Sequence, residues 1–163
     1  MTTATPDWLD WLHDAAISQA MRSEAWLYPL VEVTHILGFA VLVGAVFLFD
    51  LRLLGWSKAL PVSALARYLL TWALAAMLLI VPAGLLMFAT QPHDFAGNPV
   101  FILKLSLIAT AGVNAALFHL GVYRSVGHWD TQITAPGIAK FQALLSMLLW
   151  IGVVLCGRLL AYT

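Results

Sequence analysis

The sequence is short of charge. Its 163 residues carry eight basic and eight acidic side chains, 10% of the chain, and the formal net charge is zero. A water-soluble domain needs a polar skin and carries roughly 25% charged residues, so that class is excluded. The balance of signs also removes any argument for nucleic acid or an acidic substrate as a partner. Cysteine is nearly absent: Cys156 stands alone, so an intrachain disulfide is excluded. The first residues are polar and then acidic, without a basic n-region, so no secretory signal peptide is expected there. There is no Cys-x-x-Cys-His, no Gly-rich phosphate loop and no zinc-ligand spacing.

What the sequence has is apolar length. Hydrophobic residues make up 62% of it, and a helix needs about 20 of them to cross a hydrocarbon core. Four stretches qualify, at 26–51, 63–90, 99–122 and 141–161, with breaks at Gly55-Trp56-Ser57-Lys58, at Gln91-Pro92-His93-Asp94 and between Gly127 and Pro136-Gly137. In lipid every backbone polar group must be satisfied within its own segment, so these are helices. The expected fold is therefore all-α: an integral membrane four-helix bundle over 25–163, preceded by an N-terminal segment over 1–24. Small residues (Gly38, Gly44, Ala75, Ala76, Gly112 and Ala116) would allow close helix packing. Pro82 with Gly84 is expected to kink the second span.

The N-terminal segment has its own pattern. Thr5-Pro6 makes a cap and first-turn pair. Trp8, Trp11, Leu12, Ala15 and Ala16 recur at helical spacing, with Asp7, Asp10 and Asp14 opposite, which describes an amphipathic interfacial helix. Basic residues orient the spans. Arg52, Lys58 and Arg67 flank the first connection, and Arg124 and Lys140 the third, while the second has none. Those two connections are expected on the cytoplasmic side of a bacterial inner membrane, with both termini periplasmic.

An ionisable group within a span costs about 2.5–3.5 kcal/mol at mid-helix, so each one raises a question of function. Glu32 and His35 lie in the first span, Lys104 and His119 in the third, Arg158 in the fourth. Counted inward at 1.5 Å per residue, His35 lies ~13 Å deep and Lys104 ~8 Å. Arg158 sits about one turn before its helix ends, and Glu32 shares a face with His35. These four can form one layer in the outer half of the bundle. His119 lies ~30 Å along its span, so it and His35 cannot ligate one haem iron within a monomer. It could serve a second, inner site with Asp50, Arg52 or Arg124. Structural readings stand beside these: Lys104 and Arg158 can snorkel, a neutral His35 can bridge helices, Asp50 and Arg52 can pair at the helix end, and His93 and His128 fall in connections.

A neutral imidazole can ligate haem iron while basic side chains bind its propionates. Haem b on His35, held by Lys104, Arg158 and Glu32, with His119 as the ligand of a second site, is thus the expected cofactor. Copper, with Met77, Met87, Met147 or Cys156 as softer ligands, is an alternative, and a quinone head group is another. The corresponding functions are outer-leaflet electron transfer or quinone-linked redox with a periplasmic partner, metal handling, or service as an accessory subunit. A homo-oligomer or a larger membrane complex suits any of them.

The string WLYPLVEVTHILGFAVLVGAVFLFDLRLLG at 26–55 resembles the opening of an uncharacterised family of small bacterial four-helix membrane proteins. So do NPVFILKLSLI at 98–108 and SMLLWIGVVLCGRLLAY at 146–162. More distantly, a first-span histidine followed by a Gly-containing run resembles CopD-type copper-resistance proteins. A first-span histidine with a third-span lysine resembles HemJ-type protoporphyrinogen oxidases. The latter likeness implies His35 as haem ligand and Lys104 as its partner. The aromatic-rich surroundings of that lysine are missing here.

Overall fold

A computed structural model describes residues 7–162; the Thr5-Pro6 cap lies outside them. The order of elements is α1 (Asp7–Asp14), α2 (Ala16–Ser23), α3 (Leu27–Leu54), α4 (Val62–Thr90), α5 (Pro92–Ala96), α6 (Pro99–Leu120), a 3-10 helix (Val122–His128) and α7 (Gly137–Leu159). No strand occurs among the described residues. Helices α3, α4, α6 and α7 are each long and apolar enough to span a membrane, at 28, 29, 22 and 23 residues. They alternate in direction, which puts both ends of the described chain at one end of the bundle, the terminal end. The α3–α4 and α6–α7 connections form the other, the loop end.

Helix α3 runs past the expected boundary at Leu51 because Arg52 does not have to reach water. Its Nε donates to the Leu60 carbonyl at 2.7 Å, and its Nη2 to Lys58 O and Asp130 O at 3.2 and 3.0 Å. The helix stops at Gly55, whose φ of 113° takes the left-handed conformation that glycine adopts without a Cβ penalty. Its amide and that of Trp56 close back on Arg52 O and Leu51 O, the pattern of a Schellman stop. Asp130 comes from the other connection to cap α4: its carboxylate accepts from Ser63 N at 2.7 Å and Ser63 Oγ at 2.9 Å. At the terminal end, Asn98 Oδ1 accepts from Val100 N at 2.9 Å, with Pro99 at the first helical position of α6. Gly121 ends α6, so Val122 belongs to the 3-10 helix rather than to the span.

Packing is uneven. Helix α3 lies along α4 and α7, and α6 along α7, while no Cα of α4 comes within 8 Å of one in α6. The α3–α4 seam is close because Gly38 faces Ile80 and Ala76, and Leu42, Ala45 and Ala73 are buried there. Gly44 and Gly112 meet nothing within 4 Å of where a Cβ would stand, so they do not serve the contact expected of them. Helix α4 continues through Pro82. At the terminal end α4 and α6 meet only through rings, with Phe88 stacked on Phe101 at 5.5 Å and Phe95 beside both. At the loop end Leu53, Val62, Phe118 and Trp129 form the second core.

The N-terminal segment is two helices, not one. It bends at Ala15, whose ψ of 141° is extended. Ser18 Oγ then donates to Leu12 O at 2.8 Å across the bend. Arg22 straps α2 down by donating to Thr90 O and His13 O. Because of the bend, Leu9 and Met21 are the buried apolar side chains, and Trp8 and Trp11 point outward. His93, expected in a loop, lies on α5 and pairs with Asp10 at 3.1 Å.

Candidate functional site

The four side chains expected to share one layer divide into two pairs. Glu32 is exposed. Arg158 is also exposed; it donates to the Tyr162 hydroxyl and lies over that ring, 4.8 Å from its centre. His35 and Lys104 turn inward. His35 Nδ1 donates to Ile80 O at 3.0 Å, bridging α3 to α4. A carbonyl can only accept, so that nitrogen carries the proton and Nε2 is left with a lone pair. Gly84 makes the fit possible, since a Cβ there would stand 3.1 Å from His35 Cε1. The Lys104 ammonium lies against α7 at Cys156 and Gly157, near enough for its charge to act on the His35 ring.

His119 lies in the other half. Its Nδ1 donates to its own helix at Ala115 O, 2.9 Å away, and its ring packs between Phe118 and Tyr123. It lines the same cavity as Asp50, which is 15 residues beyond His35 on α3, ~22 Å along the axis. No group of three or more His, Cys, Asp or Glu side chains that could hold a metal ion occurs among the described residues.

That cavity lies among the spanning helices. All four spanning helices contribute to it, and its volume is about 120 Å³, against the ~10–15 Å³ that a single water needs on this measure. Its walls are largely apolar, with Asp50, Asn114, His119, Gln142 and Ser146 as polar exceptions. The lining includes Leu70 and Ala115, both exposed. The cavity therefore reaches towards the bundle surface between α4 and α6, whose Cα atoms come no closer than 8 Å.

Asp50 is 4% exposed. The Ser146 hydroxyl is its hydrogen-bonding neighbour, yet Oδ2 has no partner. No ion pair with Arg52 forms: two residues along a helix is ~200° around it, so Asp50 faces the cavity while Arg52 faces the connections. Arg124 is exposed as well. Asn114 is 8% exposed, and its Nδ2 donates to the Gln142 carbonyl at 3.0 Å, joining α6 to α7. The Gln142 side-chain oxygen, like Asp50 Oδ2, is buried without a donor. Attention to ionisable residues alone passes over Asn114, Gln142 and Ser146. Their signal in the sequence is three amide or hydroxyl side chains within apolar spans, where each is expensive unless bonded.

Fold and site together define a class: an all-helical, multi-pass membrane protein with a buried carboxylate in a cavity between its spans. A family profile described as a family of unknown function, DUF6644, matches residues 11–163, and the chain belongs to that family. Neither the curated proteins nor the solved structures contain a match to it.

Proposed function

We propose that the chain is a membrane-embedded binding protein that takes the polar head of a small lipophilic molecule into the cavity at Asp50. One observation carries this reading. A carboxyl oxygen is buried without a hydrogen-bond partner, facing a cavity that reaches towards the bundle surface. Such a group costs several kcal/mol inside a membrane unless a partner is supplied. Everything the chain needs to fold is available at less cost with an apolar residue there. A ligand entering sideways between α4 and α6 would keep its tail in lipid and bring donors to Asp50 and Gln142. The basic connections favour an orientation in which the site lies in the cytoplasmic half of an inner membrane, with both termini periplasmic.

A second reading is ligation of haem b by His35, with electron transfer or quinone-linked redox in the opposite half. It is favoured by the His35–Ile80 hydrogen bond, since a backbone carbonyl on Nδ1 fixes the ring and leaves Nε2 to ligate. Lys104 is the neighbouring charge, while Glu32 and Arg158 face outward. Copper has less to recommend it, because no group of three or more His, Cys, Asp or Glu side chains that could hold a metal ion occurs among the described residues.

One purification separates the readings. Protein extracted gently from membranes is examined by native mass spectrometry and visible absorbance, as wild type, Ala115→Phe and His35→Ala. The cavity reading expects a small-molecule adduct that Ala115→Phe removes and His35→Ala keeps. An adduct of haem mass with a Soret band, lost in His35→Ala alone, would establish the second reading and displace the first.

A further inference from the structure

We infer that the head group taken up at Asp50 is cationic, of the class of lipophilic ammonium compounds. This rests on the reading of the cavity as a ligand site and goes further by fixing the sign of what enters. Among the described residues Asp50 is the only acidic side chain in the lining, and no lysine or arginine lines it. Arg52, the nearest basic residue in sequence, is outside the lining and gives its Nε and Nη2 to three backbone carbonyls of the connections, while its Nη1 is buried without a partner. Arg67 and Arg124 are exposed, and Lys140 lies outside the lining towards the loop end.

His119 is the other titratable group in the lining. Its Nδ1–H is already given to Ala115 O, and no ion pair joins it to Asp50. The two buried side-chain atoms of the cavity that lack partners, Asp50 Oδ2 and Gln142 Oε1, are both acceptors. The donors in the lining are neutral dipoles, the Gln142 and Asn114 amides and the Ser146 hydroxyl, opposed to a full charge. An acceptor-only head group would therefore face a carboxylate with nothing to offset it, whereas an ammonium brings charge and donors together.

The walls suit the rest of such a molecule. Phe49 and Phe118 line the cavity and meet edge to face at 5.6 Å, giving an aromatic surface beside the carboxylate. Leu70 and Ala115, lining residues that are also exposed on the spans, offer an apolar tail a way to lipid rather than to water.

The test is calorimetric titration of the full chain in phosphatidylcholine nanodiscs at pH 8. The probes are 2-phenylethylammonium and its neutral isostere 2-phenylethanol, with hydroquinone as a neutral donor. The wild type is expected to bind the ammonium saturably, at least about tenfold more tightly than either neutral compound. Asp50→Asn and Ala115→Phe are each expected to weaken the ammonium by at least about tenfold, while Asp94→Asn on α5 leaves it unchanged. Should Asp50→Asn fail to fold, the charged-against-neutral comparison on the wild type and the Ala115→Phe variant still decide. Equal or tighter binding of a neutral compound, lost in Ala115→Phe, would overturn the cationic assignment and leave the cavity as a ligand site. Binding of all probes indifferent to Ala115→Phe would overturn the cavity reading with it.

Discussion

A guanidinium surrounded by backbone carbonyls, as at Arg52, holds two connections that are far apart in sequence. Lys58 and Leu60 belong to one and Asp130 to the other, and the same Asp130 caps α4 through Ser63. Hydrogen bonds to a charged group contribute about 1.5–3 kcal/mol net. Arg52→Met is expected to lower stability by about 3 kcal/mol, read from unfolding in detergent micelles, because it leaves carbonyls unpartnered at the loop end. Arg52→Lys is expected to recover little of it, since an ammonium lacks the planar fork that reaches separated acceptors. A loss below about 1 kcal/mol for Arg52→Met would contradict this role. Asp50, two residues earlier, is the opposite case. It has one hydroxyl neighbour and a free oxygen, and stability gives no reason for it.

At the scale of elements, the α3–α4 seam is where close approach is demanded. A Cβ at Gly38 would stand 2.9 Å from Ile80 Cγ1 and 3.4 Å from Ala76 O, whereas at Gly44 it would meet nothing within 4 Å. Gly38→Val is therefore expected to cost about 1–3 kcal/mol as the helices part. Gly44→Val is expected to stay within about 0.5 kcal/mol of wild type. Both are compared by thermal unfolding in the same detergent, and equal effects would rule out the seam as drawn. The sequence shows that both glycines lie in a span but not which way each faces. An apolar span in lipid has no polar face to mark its inward side, and both sides of α3 read alike. The existence of the four spans was legible for the same reason, since length and hydropathy alone decide it. Orientation around each helix axis was not: depth groups Glu32 and Arg158 with His35 and Lys104, although both turn outward.

For the whole molecule, the open side between α4 and α6 is the feature that sequence could not announce. Covalent connections place α4 before α6, but only packing decides that α3 and α7 fill the space between them. That arrangement gathers Asp50, Asn114, Gln142 and Ser146 from three helices that are distant in the chain. Depth alone suggests His119 as a member of an inner site with Asp50, and the two line one cavity. The amides were legible only as polar residues without an assigned partner.

The claim that the working site lies at Asp50 is tested most directly by mapping a photoreactive lipophilic diazirine on the protein in native membranes. Labelled peptides identified by mass spectrometry are expected to fall in 45–53 and 114–119, and to disappear in Ala115→Phe. Labelling centred on His35 and Lys104, or labelling of the cavity segments that Ala115→Phe leaves unchanged, would contradict the account.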